Sequence, residues 1–166
     1  KVTLKEGLVT IGDKAFKGCS SLTSITMPAT LQKIGNYAFE NCTKLKKVKL
    51  NEGLLTIGKK AFYNCKALKK VKIPKSVLKI GSFAFAKCAA LTSFTFATDS
   101  QLMAMGTGVL SNDKKLTKIK LPGKLTAVPS KAFKNDTKLA SVTIGKSVTK
   151  IGAEAFNGCK KIKKVT

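Results

Sequence analysis

Residues 34–42 read Ile-Gly-Asn-Tyr-Ala-Phe-Glu-Asn-Cys, and residues 57–65 read Ile-Gly-Lys-Lys-Ala-Phe-Tyr-Asn-Cys. This pattern, or a close variant of it, occurs seven times along the chain. The first residue of the pattern stands at Ile11, Ile34, Ile57, Ile80, Met105, Val128 and Ile151. Each step is 23 residues long except the step from Ile80 to Met105, which is 25. Self-similarity at a fixed period of this length predicts a solenoid of stacked coils.

Each repeat has two halves that differ in their hydrophobic pattern. In residues 22–27, Leu22, Ile25 and Met27 are apolar, and the alternation at the end of this segment predicts a short β-strand. Residues 34–39 are compatible with one or two turns of helix or 3-10 helix. We therefore predict one α/β repeat solenoid over residues 1–166. It has seven coils of about 23 residues, a parallel β-sheet on one face and short helical or 3-10 turns on the other.

The motif Leu-x-x-Ile-x-(Met/Leu/Ile)-Pro-x-x-(Leu/Val)-x-x-Ile-Gly-x-x-Ala-Phe-x-x-Cys resembles the BspA-like (Treponema pallidum-type) leucine-rich repeat family over all 166 residues. The resemblance implies a leucine-rich-repeat fold and a location at the bacterial surface or outside the cell. Some members of that family are adhesins, and the family offers no shared catalytic residues. The repeat at residues 105–127 departs from the motif, because Met105, Val109, Leu110 and Asp113 replace Ile, Ala, Phe and Cys.

Phe and Cys each recur once per coil. Six of the nine Phe residues stand at one phase of the repeat, which predicts a packed ladder in the core rather than a ligand-binding stripe. Asp113 and Asp136 take the place of Cys in two coils, so this position does not require a thiol. We predict buried structural thiols, with a disulfide or a metal site as the alternatives, and a local backbone hydrogen bond for each Asp. The five thiols are Cys19, Cys42, Cys65, Cys88 and Cys159.

The charge is strongly basic, with 32 basic residues against 8 acidic ones and a net charge of +24. Every basic residue is Lys, which favours point-charge attraction to anionic partners. The chain has no His, so a Ser or Cys nucleophile lacks its usual base, and the carboxylates form no paired pattern. We predict no enzyme activity, no cofactor and no metal site. No apolar run approaches the ~20 residues of a membrane span, so we predict no membrane insertion.

The outward positions of the predicted strands form the candidate binding face. Lys fills half of these positions and Ser or Thr the other half, without an acid or an aromatic residue. The same columns hold Lys1 and Thr3 at one end, and Lys164 and Thr166 at the other. The candidate residues are Ser24, Thr26, Lys47, Lys49, Lys70, Lys72, Ser93, Thr95, Lys118, Lys120, Ser141 and Thr143.

The residue types on this face narrow the range of partners. It lacks the aromatic residues that stack bases or sugars and the Arg, Asn and Gln that read bases, so we predict no sequence-specific nucleic acid binding. These residue types fit an acidic protein surface or an anionic polysaccharide better than they fit nucleic acid. We expect such a partner to bind weakly and in a salt-sensitive way. The alternatives are an ordinary solvated surface on a structural spacer, and a repeat segment fused to a catalytic domain outside this chain.

The ends and the irregular repeat give two further predictions. The chain begins and stops inside strand patterns, so we expect more repeats or domains at both ends. The connection Ala97–Gln101 carries the two extra residues of the 25-residue step, and the coil after it loses its Ile, Phe and Cys together. We expect this coil to be the least protected interior coil and the place of local specialisation.

Overall fold

Each repeat forms one coil with two short strands and a run of tight turns. The computed structural model describes residues 2–166, so Lys1, which belongs to the candidate columns, lies outside the described residues. The strands pair in parallel with the equivalent strands of the neighbouring coils, most often residue i with residue i+23, as in Ile11 with Ile34. This register brings identical repeat positions together and confirms the parallel solenoid.

The strands form two rows along the stack, and both rows are interrupted at the same place. The first row consists of a four-stranded sheet of β2 (Ser24–Thr26), β4 (Lys47–Lys49), β6 (Lys70–Ile73) and β8 (Ser93–Phe96), and a three-stranded sheet of β10 (Lys118–Lys120), β12 (Ser141–Thr143) and β14 (Lys164–Val165). The second row consists of a five-stranded sheet of β1 (Thr10–Ile11), β3 (Lys33–Ile34), β5 (Thr56–Ile57), β7 (Lys79–Ile80) and β9 (Ala104–Met105), and a two-stranded sheet of β11 (Ala127–Val128) and β13 (Lys150–Ile151).

The core lies between the two rows of strands and the turns. In β2, Ile25 is buried while Ser24 and Thr26 are exposed, because successive side chains of a strand point to opposite faces. The Phe column forms the predicted ladder: Phe39 and Phe62 are fully buried and their rings stack at 5.0 Å. Leu110 takes the place of Phe in the irregular coil and is also fully buried. The packing interpretation of the Phe column is therefore confirmed.

The third side of each coil consists of tight turns. The prediction that these turns are helical or 3-10 is wrong for residues 2–166. In the second coil, Tyr37 and Asn41 have φ values of 58° and 62°, which a right-handed helix does not allow. The N–H groups of Tyr37, Phe39 and Asn41 donate to carbonyls of the next coil at 2.7–2.9 Å. The turns therefore form a third hydrogen-bonded ladder between coils, and helical bonds would compete for the same donors.

The recurrent Gly after the Ile column is explained by close approach of neighbouring coils. A Cβ on Gly81 would lie 2.4 Å from the backbone nitrogen of Lys59 in the preceding coil. Gly12 lies in the first of the seven repeats, where no backbone lies against it, and a Cβ on Gly12 would meet nothing within 4 Å. Gly is needed at this position because its Cα lies against the backbone of the preceding coil. The turn itself does not require Gly there.

Candidate functional site

The candidate face is divided between two sheets. Ser24 to Thr95 lie on β2, β4, β6 and β8, and Lys118 to Thr143 lie on β10 and β12. Lys47 pairs in register with Lys70, so the two basic rows on β4 and β6 are neighbours at about 4.8 Å. The third basic row, on β10, is separated from them by the row of Ser93 and Thr95. The structure therefore brings four of the six Lys together and sets the other two apart.

All six Lys side chains of this face are exposed, whereas Ser93, Ser141 and Thr143 are half-buried. Among residues 2–166, no carboxylate forms an ion pair with any of the six. The three ion pairs in this part of the chain join Lys17 to Glu40, and Lys131 and Lys134 to Glu154, all on the turn side. The positive charge of the candidate face is thus not neutralised by acidic side chains of the described chain.

Both rows of strands open at one junction, between the coil that holds β8 and β9 and the coil that holds β10 and β11. Within residues 2–166, no backbone hydrogen bond joins β8 to β10 or β9 to β11. In other coils the Gly after the Ile column donates to the preceding coil, as Gly152 does to the Val128 carbonyl at 2.8 Å. Pro129 stands at this position in the coil after the open junction and has no N–H to donate.

The turn ladder continues across the open junction. Gly108, Leu110 and Asn112 donate to carbonyls of the next coil at 2.8–3.0 Å, as their equivalents do elsewhere. The two coils are therefore joined by backbone hydrogen bonds along the turns but not along either row of strands. The term open junction refers to these missing strand bonds.

A cleft of about 790 Å³ lies at this junction, at the ends of the strands and along the connections that follow them. One wall is the connection 97–101, and the opposite wall comes from residues 120–124 and 143–146. Phe96 and Ile144 contribute half-buried apolar surface, and three exposed Lys stand around it. Thr95, Lys120 and Thr143 of the candidate face also line the cleft, so the two features are continuous. The basic residues of the rim are Lys120, Lys124 and Lys146.

The thiol column lies under the turns and does not form a reactive site. Cys42, Cys65 and Cys88 are buried, and each donates its S–H to a Phe carbonyl 26 residues earlier at 3.1–3.3 Å. Burial raises the pKa of the Cys42 thiol to about 11, and it raises the pKa of Cys88 well above its usual value. The five cysteines are free, and Cys19 is the exposed one. Structural thiols are thus confirmed for the interior coils, because a buried neutral thiol is a poor nucleophile.

Asp113 and Asp136 are fully buried neighbours in the same column. Oδ1 of Asp113 accepts the backbone N–H of Cys88 at 2.7 Å, and Oδ1 of Asp136 accepts that of Asp113 at 2.8 Å. These bonds join different coils, so the predicted local backbone bond is wrong. Burial raises the pKa of Asp113 well above its usual range, with repulsion from Asp136 as the second cause. Burial likewise raises the pKa of Asp136 to about 9.

Residues 2–166 contain no group of three or more His, Cys, Asp or Glu side chains placed to hold a metal ion. They also contain no helix of the length and apolar character that a membrane crossing requires.

The family follows from a match that spans nearly the whole sequence. The sequence profile of the BspA-type leucine-rich repeat region matches residues 1–101 and 34–163, with six copies of the repeat. The chain belongs to the BspA-type leucine-rich repeat family. No curated protein sequence matches this chain.

Solved structures of bacterial proteins resemble this BspA-type chain. The leucine-rich repeat protein of T. pallidum has a TM-score of 0.88 and 28% sequence identity, over 96% of this chain and 75% of that one. The pneumococcal vaccine antigen PcpA has a TM-score of 0.65 and 25% identity, over 98% of this chain and 44% of the antigen. A leucine-rich cell surface protein of Faecalibacterium prausnitzii, at 20% identity and a TM-score of 0.51, shares the fold, over 93% of this chain and 62% of that one.

The cleft was not predicted from the sequence of this BspA-type chain, although two signals pointed to its position. The 25-residue step lengthens the connection 97–101, and Pro129 removes a donor that the other coils use. The longer connection predicts local specialisation, whereas the effect of Pro129 is recognised only from the hydrogen bonds between coils. Neither signal alone shows that both rows of strands open at the same junction.

Proposed function

We propose that this chain is a non-catalytic binding module of a bacterial cell-surface or secreted protein. Its Lys/Ser/Thr face on β2 to β12 binds a polyanionic partner, either an acidic protein surface or an anionic polysaccharide. The observation that carries this proposal is the set of six exposed Lys without a carboxylate partner among the described residues. One structural relative is a cell surface protein and another is a vaccine antigen, which supports the surface location.

The pairing of Lys47 with Lys70 provides the physical reason for binding. Two ammonium groups on neighbouring strands repel each other, and an anion placed between them relieves this repulsion. Exposed charge pairs contribute on the order of 0–1 kcal/mol each, so affinity must come from several contacts. Screening by salt should therefore weaken the complex strongly.

The test compares two variants with the same number and type of substitution. The face variant carries Lys47→Thr, Lys70→Thr and Lys118→Thr. The fold tolerates a small hydroxyl side chain at these positions, because Ser24, Ser93 and Ser141 occupy the same column in other coils.

The matched control carries Lys33→Thr, Lys79→Thr and Lys150→Thr, which lie on outward strand positions of the second row. Thr10 and Thr56 occupy that column naturally. Both variants have the same net charge, so only the location of the lost charge differs.

Retention is measured on a heparin column and on a polyglutamate column in a salt gradient. We expect the face variant to elute at clearly lower salt than the control on at least one matrix, and that matrix identifies the partner class. Equal elution of the two variants on both matrices would remove the face as a binding site. The chain would then be better described as a spacer with a generally basic surface.

A further inference from the structure

The cleft at the open junction has the volume and the lining of a binding site. In a regular junction the strands of adjacent coils are joined by backbone hydrogen bonds. At the open junction, a Cβ on Gly123 would meet nothing within 4 Å. The volume of about 790 Å³ falls within the range of protein ligand sites.

The cleft combines apolar surface with positive charge. Phe96 and Ile144 are half-buried on its floor, and the exposed Lys120, Lys124 and Lys146 outnumber the single carboxylate, Asp99. Lys124 donates to Oε1 of Gln101 across the cleft. Since an ammonium group has three donors, Lys124 keeps donors for a ligand.

The backbone at the junction also offers hydrogen-bonding groups. The strands β8 and β10 lie side by side without a backbone bond, so N–H and C=O groups of both strands lack their usual strand partner. A sulfated or uronic polysaccharide satisfies the Lys but has no large apolar group for Phe96.

We propose that this cleft binds an extended acidic segment of a partner protein, with one large apolar side chain on Phe96 and Ile144 and flanking carboxylates at the three Lys. This inference deepens the proposed function, because it specifies the partner class at the end of the same face. It differs from that function in depending on apolar contact as well as charge.

The probe is a fluorescently labelled acidic peptide, Asp-Glu-Asp-Phe-Asp-Glu-Asp, whose anisotropy reports binding. Its partner peptide has Ser in place of Phe and the same charge. We expect the Phe peptide to bind the native chain about tenfold more tightly, since it places a large part of an aromatic side chain on apolar surface.

Two variants fill the cleft at a position where other coils carry side chains. Gly123→Trp occupies the open space, and Gly123→Glu adds a carboxylate there. Glu52 and Lys75 stand at the equivalent position in other coils, so the backbone accepts these changes. The matched controls are Gly12→Trp and Gly12→Glu, because Gly12 also has open space and lies far along the stack from the cleft.

We expect both Gly123 variants to lose the preference for Phe over Ser, and both Gly12 variants to keep it. Thermal melts check that all four variants fold. Equal binding of the two peptides to the native chain would overturn the proposal, as would a preserved Phe preference in folded Gly123→Trp and Gly123→Glu.

A heparin tetrasaccharide forms the last arm. The peptide proposal fails if two results occur together: Gly123→Glu weakens tetrasaccharide binding more than Gly12→Glu does, and the peptides show no Phe preference. The cleft then binds a saccharide. The Phe-to-Ser ratio is measured at constant peptide charge. The cleft proposal can therefore fail while the salt-gradient test supports the Lys face. The salt-gradient test can likewise fail while the cleft proposal holds.

Discussion

Replacing Asp113 and Asp136 by Cys, the residue that the other five coils carry in this column, should stabilise the protein at neutral pH. Both carboxyls are fully buried, and Oδ2 of each accepts no hydrogen bond. The groups that face them are the thiols of Cys88 and Cys159 and each other. A neutral carboxyl is therefore favoured in the folded state, whereas the unfolded chain ionises at its ordinary pKa of 3.8.

The sign of the pH dependence follows from the raised pKa values. A carboxyl that is neutral when folded contributes its full stability below pH 3.8, and this contribution is lost as the pH rises through the folded pKa, about 9 for Asp136. Each pH unit in this window costs about 1.4 kcal/mol for one carboxyl. Between pH 4 and pH 7 the loss for Asp136 is on the order of 4 kcal/mol, comparable to much of the net stability of a small domain.

The Cys variant should not share this dependence, because thiols are neutral in both states from pH 4 to pH 7. In this column the thiol of Cys88 donates to the Phe62 carbonyl. By equivalence we expect the carboxyl protons of Asp113 and Asp136 to point at the Phe85 and Leu110 carbonyls. Ionisation removes these protons and leaves each carbonyl facing a buried anion.

Urea unfolding from pH 4 to pH 8 at constant ionic strength, with a reductant, measures the effect by circular dichroism. The unfolding free energy of Asp113→Cys/Asp136→Cys should exceed that of the native chain by an amount that grows with pH. The control variant is Asp13→Asn. The backbone N–H and the side-chain amide of Asn36 lower the pKa of the exposed Asp13 carboxyl. The stabilising contribution of Asp13 is therefore lost only as the pH falls below the usual pKa range of an Asp. A stability difference between the native chain and the double variant that stays constant over this pH range would refute the reasoning.

Three further predictions concern the coils themselves. Gly81→Ala should destabilise the fold by several kcal/mol, since its Cβ would lie 2.4 Å from backbone, whereas Gly12→Ala should be nearly neutral; urea unfolding of both variants checks this. Thiol titration should find five reactive thiols in denaturant, whereas in the native state the exposed Cys19 should react fastest and the half-buried Cys159 more slowly. Fast reaction of Cys42, Cys65 or Cys88 would contradict the burial of the interior thiols. Amide hydrogen exchange should be faster along 117–128, beside the open junction, than in β5 and β7, and equal protection would show that the missing strand bonds carry no local instability.

Much of the candidate face could be predicted because it depends on periodicity alone. A strand turns alternate residues outward, and a constant repeat length stacks those residues in columns, so the outward positions of Lys47 and Lys70 follow from their numbers in the chain. The buried Phe and Cys columns follow in the same way. Whether the face binds an anion stays a prediction, because exposure and charge permit binding without requiring it.

The sequence by itself therefore determined the repeat length, the register between coils and the division into inward and outward columns. The tertiary structure decided the features that depend on backbone bonds between coils. Tyr37 adopts a positive φ and donates its N–H to the next coil, and Gly81 is required because a neighbouring backbone lies against it. The cleft lies where the longer connection 97–101 meets a junction that lacks strand bonds, while the turn ladder holds. A column alignment shows which residues are neighbours, but whether neighbouring backbones bond or separate depends on their geometry in space.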